Sequence, residues 1–574
     1  MNPERLMQNF NRLIDTPDAV PRLRRFILNL AVRGKLVEQN PDDEPAAELL
    51  KRIEAEKRRL EKLRHIKKSK EFGSLSAVEV PFDIPDIWKW TPFSKLVDFA
   101  AGRTPSRHDT SFWNTGDYHW VSIADMTDGK LITSTKETVS EKAKTTVFKN
   151  SPSPAGTIVM SFKLTIGKVS RLSIPAFHNE AIISIYPHLS ELDAYLFQFL
   201  PLFSQSGTKK NALKGATLNR ESLSNLLVPL PPLAEQYRIV AKVYELMKLC
   251  DELEAAQLKR EKRRDRLVAA TLHGLNNGDS DSEASERLPF KESARFYSNH
   301  LPRLTTRPEH IQQLRQTILN LAVRGKLVPQ DPKDEPAEKL LMRIENEKKR
   351  LVKSGAIKEA KPLSQIKVAE MLFIAPAGWK WTRLSDSVNS HLGGGTPSKG
   401  NATYWNGDIF WASVKDIGKT KYVDQTMDRI TQAGLENSSS NLIPPGNLIV
   451  VTRMGLGKVS INRVPMAINQ DLRALFLSSL TEIDYYYIFF KTASYEGKGL
   501  TVKGIKVEEL LNFPFPLPPL AEQHRIVAKM YELMTLCDEL ETRVTTDITT
   551  NRKFLEVTLQ EALSGANYGE EAIL

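Results

Sequence analysis

Residues 27–37, ILNLAVRGKLV, return unchanged as residues 318–328. A second stretch, PLPPLAEQYRIVAKVYELMKLCDELE at 229–254, returns at 516–541 with changes only at Tyr237/His524, Val243/Met530 and Lys248/Thr535. The 574-residue chain is therefore two versions of one unit in tandem. Between the matched blocks the copies diverge strongly, so a fixed frame presents two different surfaces.

Both repeated stretches predict helices. Pro231-Pro232 precede Leu233, and apolar residues follow at Ile239, Val243, Leu246, Cys250 and Leu253. Proline is tolerated at a helix start, and steps of four and three mark the seam of a long helix packed on another. The second copy repeats the seam at Ile526, Met530, Leu533, Cys537 and Leu540, extended by Val544. Cysteines on such a seam read as small buried apolar side chains, not reactive thiols. The other block predicts a helix through Leu30, Ala31 and Val32 that stops at Gly34, where a left-handed cap is easily adopted. A polar turn (40–44) and Pro45 then open a charged helix bearing Leu49, Leu50, Ile53 and Leu60; the second copy has the turn at 331–335, Pro336, and Leu340, Leu341, Ile344 and Leu351.

The divergent regions, 81–232 and 362–519, are rich in Gly, Pro, Ser and Thr, with short apolar runs such as 157–160 and 447–451 that favour strands and turns. Landmarks still align: Trp88 and Trp90 with Trp379 and Trp381, GRTPS (102–106) with GGTPS (394–398), Trp113 with Trp405, and Trp120 with Trp411. Residues common to two otherwise different domains read as shared core. The expected architecture is α+β. Two mixed α/β domains are held apart by long antiparallel coiled-coil helices, as an internal tandem repeat with pseudo-twofold arrangement. Around them lie an N-terminal helical region (1–80), a central helical spacer (233–361) with a flexible linker near 278–310, and a C-terminal helix (520–574).

Composition narrows the function. Lys and Arg exceed Asp and Glu by 80 to 69, a surplus of 11 that suggests an anionic partner such as nucleic acid. No apolar signal core opens the chain and no run approaches the roughly 20 apolar residues a bilayer span needs, so no membrane role and a cytoplasmic location are expected. Catalytic signatures are missing. The run Gly455-Leu456-Gly457-Lys458 lacks P-loop spacing, and Val459 stands where Ser or Thr would bind magnesium. No Asn-Pro-Pro-Tyr or Asp-Pro-Pro-Tyr motif is present, the ten histidines form no H-E-x-x-H, and Asp43-Glu44-Pro45-Ala46 lies in a turn without a preceding P-loop strand. No metal site is expected.

The AVRGKLV element, its QNPDDEPAAELL and QDPKDEPAEKLL continuations, the GWKWTRL and GGTPS openings and the PLPPLAEQ-x-RIVAK block together resemble the specificity subunit, HsdS, of type I restriction-modification systems. The resemblance runs over nearly the whole chain, twice, in order. It implies that each divergent domain is a target recognition domain reading one half of a bipartite DNA target. It also implies helices that serve as ruler and docking surface for two modification (HsdM) subunits, with restriction (HsdR) subunits completing the complex. The chain itself would be non-catalytic and bind no cofactor; S-adenosylmethionine, ATP and Mg would be used by the partners.

The residues support double-stranded DNA as a partner independently. Two unlike domains on a stiff spacer suit an asymmetric split site with a gap of roughly 10 base pairs or less. Phosphate contacts can be common to both halves, whereas contacts that choose bases must differ. Shared cationic positions are Lys163/Arg453 and Lys168/Lys458, each in a strand followed by a basic, glycine-containing turn. Differing positions include Arg103 against Gly395, Arg171 against Ile461, Ser173 against Arg463, and Ala181 against Asp471. Further candidates are Thr104, Ser106 and Arg107 with Thr396, Ser398 and Lys399 in the opening loops, and Lys209, Lys210 and Lys214 with Lys498, Lys503 and Lys506 in the late loops. Each cation has a plainer reading as a solvated charge, as do the basic stretches 51–70 and 259–266. Two rivals stay open: a self-contained modification or cleavage enzyme, and a coiled-coil scaffold that binds no DNA.

Overall fold

A computed structural model of the chain describes residues 16, 18–63, 80–163, 165–204, 210–212, 215–277, 290–359, 364–493 and 504–564. It divides into two compact units, residues 1–259 with 550–574, and residues 260–549. Each contains one mixed α/β domain, with long helices between them in the sequence.

In the first unit the helix Ala19–Val32 ends as its glycine predicts. Gly34 has φ +67°, and a Cβ there would lie 2.4 Å from Pro85, so both backbone and packing demand glycine. Gly325 repeats this in the second unit, with φ +65° and Pro376 at 2.4 Å. The helix Ala46–Lys62 follows Pro45 and buries Ala46, Leu49 and Ile53; Ala337–Lys353 follows Pro336 and buries Ala337, Leu340 and Ile344.

Why the two blocks repeat becomes clear at the start of the long helix Leu233–Asn277. Glu235 is fully buried there, and accepts hydrogen bonds from Trp88 Nε1 (2.8 Å) and Gln39 Nε2 (2.6 Å). One turn on, Arg238 pairs with the buried Asp43 at 2.5 Å. In the second unit Glu522, in the helix Leu520–Ser564, accepts from Trp379 (2.9 Å) and Gln330 (3.0 Å), and Arg525 pairs with Asp334 at 2.6 Å. Burial pushes both glutamates above the ordinary carboxylate pKa, against the pull of their indole and amide donors. The second repeated block thus supplies one half of a buried polar joint between helices and domain, and Trp88 with the segment just after the first block, Gln39 and Asp43, supplies the other.

The domains themselves are built on one plan. In the first, a five-stranded sheet runs in the order Val97–Ala101, Ile182–Pro187, Ile158–Ser161, Val169–Leu172, Lys130–Ile132, beside a three-stranded sheet of Glu137–Val139, Trp113–Val121 and Ala176–His178. The second has Val388–Gly393, Leu472–Leu477, Leu448–Val451, Val459–Asn462 and Tyr422–Val423, beside four strands, Asp428–Ile430, Trp405–Ala412, Met466–Ile468 and Leu442–Ile443. The apolar runs 157–160 and 447–451 are thus central strands, buried on both faces. Where the second domain has the strand Leu442–Ile443, the first has a single bridge, Ser153 to Ala176.

The seam expected on the long helices is buried at Ile239, Val243 and Cys250 in the first unit and at Ile526, Met530 and Cys537 in the second. The linker expected near 278–310 needs correction. Residues 278–289, which include all of the polar, acidic stretch 278–287 expected to be the joint, lie outside the described residues, but the rest of the range does not form a linker: Phe290–Leu304 is a helix. Its Tyr297 and Leu304 pack on Val268, Leu272 and Leu275, an amphipathic pattern.

Candidate nucleic-acid interface

Five loops converge at one end of each domain. The opening loop, GRTPS or GGTPS, is pinned by an indole pair. Trp113 Nε1 donates to Ser106 O (3.0 Å) and Trp120 Nε1 to Arg103 O (3.1 Å). In the second domain Trp405 donates to Ser398 O (3.1 Å) and Trp411 to Gly395 O (3.0 Å). Within each pair the rings meet edge to face, with centroids 4.9 and 5.2 Å apart. Trp120 and Trp411 are buried, as expected of shared core, whereas Trp113 and Trp405 are half-buried; all four fix the backbone of the loop while leaving its side chains free to vary.

The next loop is the turn between the last strand of the smaller sheet and the return strand, 179–181 or 469–471. Asn179 and Asn469 each cap it by accepting from the amide two residues on, both at 3.1 Å. The opening loop docks on one side of this turn through Arg103 N to His178 O (2.9 Å) and Gly395 N to Ile468 O (3.0 Å). Thr104 donates to Glu180, and Thr396 to Gln470.

On the other side sits the basic hairpin, residues 162–168 or 452–458. Phe162 N donates to Ala181 O (2.9 Å), and Thr452 N to Asp471 O (2.8 Å). The hairpin also receives the late loop, through Leu218 N to Phe162 O and Ile505 N to Thr452 O, both 3.0 Å. A fifth segment, the turn Ser122 to Asp125 or Ser413 to Asp416, is closed by serine hydroxyl and amide to the aspartate. It touches the hairpin where Lys168 Nζ reaches Ile123 O at 3.2 Å.

The sequence candidates separate on this frame. Arg103, Ser106, Ser398, Lys399, Arg453, Lys458, Arg463 and Lys506 are exposed, and Thr104, Lys163, Lys168 and Thr396 half-buried. Lys163 lies 5.3 Å over the Phe162 ring. Arg453 stands 3.9 Å from Asp471 while remaining 54% exposed, and Met454 beside it takes φ +60° with its side chain in solvent. Arg463 stacks on Tyr422 at 3.8 Å, away from the loop cluster. Lys210 has a described backbone, in a short hairpin of Lys210–Ala212 with Gly215–Thr217; Lys209, Lys214, Lys498 and Lys503 lie outside the described residues.

Three candidates carry internal partners in the first domain: Arg103 Nη1 donates to Val147 O (2.7 Å) while the residue stays exposed. Arg171 bonds Asp193 (2.5 Å) and Gly156 O (3.0 Å) and covers Phe197. Arg107 forms a two-pronged pair with Glu137 and lies 3.9 Å over Trp113. Asp471 also departs from expectation. It is 8% exposed, and its carboxylate is occupied by Asn469 and Arg453, which suits shaping the turn and not accepting from a base. Sequence reading missed Glu180, Gln470 and Lys415 on the exposed side of the same turns. Their only signal was proximity to aligned tryptophans, because the loops meet through long-range strand pairing.

Among the described residues no cluster of His, Cys, Asp or Glu could hold a metal ion, and no helix is long and apolar enough to cross a membrane. A family profile described as the type I restriction modification DNA specificity domain matches twice, over residues 85–261 and 376–550. The chain is 32% identical over 552 residues to the specificity subunit of the type I restriction enzyme EcoAI of Escherichia coli, covering 91% of this chain and 90% of that one. It is 30% identical over 564 residues to the EcoEI specificity subunit of Escherichia coli, covering 92% and 91%. Among solved structures, an HsdS subunit from Thermoanaerobacter tengcongensis aligns with TM-score 0.37 at 17% identity, over 85% of this chain and 99% of that one. With the family profile matched in both units and relatives aligned end to end, the chain belongs to the specificity subunits of type I restriction-modification systems, non-catalytic subunits that recognise DNA through two target recognition domains.

Proposed function

We propose that residues 81–232 and 362–519 are the two target recognition domains, each reading one half of an asymmetric bipartite DNA sequence through its five-loop end. The observation that carries this reading is the constancy of the loop backbones against the difference in what they display. Both opening loops are held by the same two indole bonds, yet one presents Arg103 and the other Gly395. Both hairpins return a lysine at the same place, Lys168 and Lys458. A common cationic rim suits phosphates and a variable centre suits bases.

Lys163, Lys168, Arg453 and Lys458 are then backbone contacts, joined by the late-loop lysines. Arg103, Thr104, Ser106, Thr396, Ser398 and Lys399 are the residues nearest the variable centre. The helices would set the gap between half-sites and dock two modification subunits, with restriction subunits added for ATP-dependent cleavage. S-adenosylmethionine, ATP and Mg would be used by those partners, in the cytoplasm, with the target adenine flipped into the modification subunit.

Methylome sequencing of a host carrying this chain with its modification subunit, against the modification subunit alone, tests the whole. A split adenine-methylated motif that depends on this chain is the expected result. A stable complex with no new motif would favour a scaffold that does not read DNA. Exchange of residues 81–232 for another recognition domain should change one half-site only.

A further inference from the structure

At the loop end of the second domain's larger sheet, one rung differs in kind from its counterpart. The strands Val388–Gly393 and Leu472–Leu477 pair so that Gly393 faces Arg473 and His391 faces Leu475. In the first domain the same rungs set Ala101 against Ile183 and Phe99 against Ile185, all apolar. Gly393 does not need a glycine's backbone freedom, since its φ is not positive. It supplies room: a Cβ would stand 2.6 Å from Nη1 and 3.0 Å from Cζ of Arg473. The guanidinium therefore lies across the edge strand in the space the missing side chain leaves, one residue before the GGTPS loop and two after Asp471.

Nothing among the described residues answers that charge. Among the described residues Arg473 has no side-chain hydrogen bond and no ion pair, and its Nε is buried without a partner. Burial without an acid pulls its pKa down. His391, two residues along the same strand face, has a buried Nδ1 that is equally unpartnered. Its pKa is lowered by burial first, then by Arg473 and Lys348. Desolvating a cation without an acceptor is destabilising, and the Ala101, Ile183 and Phe99 set shows that this fold accepts an apolar rung in its place. The pair Gly393 and Arg473 spans two strands and one would be pointless without the other, so the second domain holds an arginine in readiness for an acceptor from outside.

The position and the asymmetry identify that acceptor. The rung opens at the end where the reading loops leave the sheet, and a contact made by only one domain belongs with choice of base, not with the phosphates both domains meet. With Nε sealed, the free end of the guanidinium is its pair of terminal nitrogens. We propose that Arg473, given room by Gly393, reads a guanine in the half-site of the second recognition domain, Nη1 and Nη2 donating to O6 and N7 in the major groove. The inference rests on the DNA-recognition reading above.

The test uses the full chain in complex with its modification subunit and methylome sequencing of the host genome. Two variants are compared with the parent: Arg473→Lys, which keeps the charge but loses the fork, and the triple change His391→Phe, Gly393→Ala, Arg473→Ile, which installs the first domain's residues and so protects the fold. Both are expected to lose preference for guanine at one position of one half-site, by roughly 5- to 150-fold, while the other half-site is unchanged. A fall that is uniform over all sequences and restored by lysine would make Arg473 a phosphate contact and overturn the proposal. An unchanged motif, or a parent motif with no guanine in the affected half, would overturn it as well. If the parent itself directs no split motif, the DNA-recognition reading fails first, which separates the two failures.

Discussion

The two recognition domains share loop pinning and the strand order of the larger sheet, with the same register except for an irregularity between Val388 and Ser390, yet their interiors are made of different chemistry. In the first, His178 Nε2 lies 2.8 Å from Ser184 Oγ, which lies 3.2 Å from Ser153 Oγ, itself 3.0 Å from Tyr186 Oη. The second places Ile468, Ala474, Ile443 and Phe476 at the four equivalent positions, and three of these belong to one apolar cluster with Phe476 against its side. Divergence between the copies therefore reaches the core and is not limited to the displayed side chains. What stays constant is the set of contacts that no single substitution can replace: indole to loop carbonyl, buried glutamate to indole, arginine to aspartate.

The largest effect should come from that constant set, and should be equal in both domains. Trp120→Ala and Trp411→Ala each remove a nearly fully buried ring and the bond that holds the opening loop. Each is expected to cost about 3–5 kcal/mol, read by denaturant unfolding followed through hydrogen exchange of its own domain. Next come Glu235→Ala and Glu522→Ala, which strand the Trp88 and Trp379 N–H groups in the interior at about 1–3 kcal/mol each. If either pair gave unequal losses, the frame would not be a shared element of the two domains.

Such couplings also explain what the sequence could and could not reveal. Helix boundaries were legible because their causes are local: Pro231 and Pro232 before Leu233, Gly34 and Gly325 after their helices, seam residues at steps of three and four. Strands 158–161 and 448–451 were legible as apolar runs. The helix Phe290–Leu304 was not, because Ser, Asn and Arg on its outer face masked Tyr297 and Leu304. The repeated blocks were visible, but their meaning was not, since Gln39 and Glu235 meet across 196 residues. Gly393 and Arg473 are likewise neighbours only through strand register, so neither stood out alone.

A smaller, pH-dependent difference follows from the contrasting cores. Burial lowers His178 and His188 in the first domain to about 4, whereas the second has His391 lowered among the described histidines. A histidine whose folded pKa is depressed stays neutral in the native state and gains its proton on unfolding. Its stabilising contribution is complete above the ordinary value of 6.5 and is lost as pH falls from there toward 4. Glu235 and Glu522 are shifted upward and act in the opposite sense, but alike in both domains, so they do not create the difference. As pH falls from 6.5 to 4.5, the opening free energy of the strand Ile182–Pro187, obtained from hydrogen exchange corrected for the intrinsic amide rate, should fall more than that of Leu472–Leu477. Replacing His178, Ser184, Ser153 and Tyr186 by Ile, Ala, Ile and Phe should narrow the gap; an unchanged gap would assign it to His188 or to surface charge.

The smallest expected effect tests whether equivalent lysines do equivalent work. Lys168 and Lys458 end the two basic hairpins, but Lys168 Nζ donates to Ile123 O, while Lys458 is exposed and shields Gly418, whose Cβ would stand 2.9 Å from its own. If both reach phosphates, Lys458→Ala lowers the slope of log K against log salt by about 1 and Lys168→Ala by at most that much, with no change in the motif. Because the carbonyl of Ile123 competes for the Lys168 ammonium, its substitution should change the slope by less than that of Lys458. Equal slopes would mean that DNA displaces the internal bond, and that the two hairpins become alike only on binding.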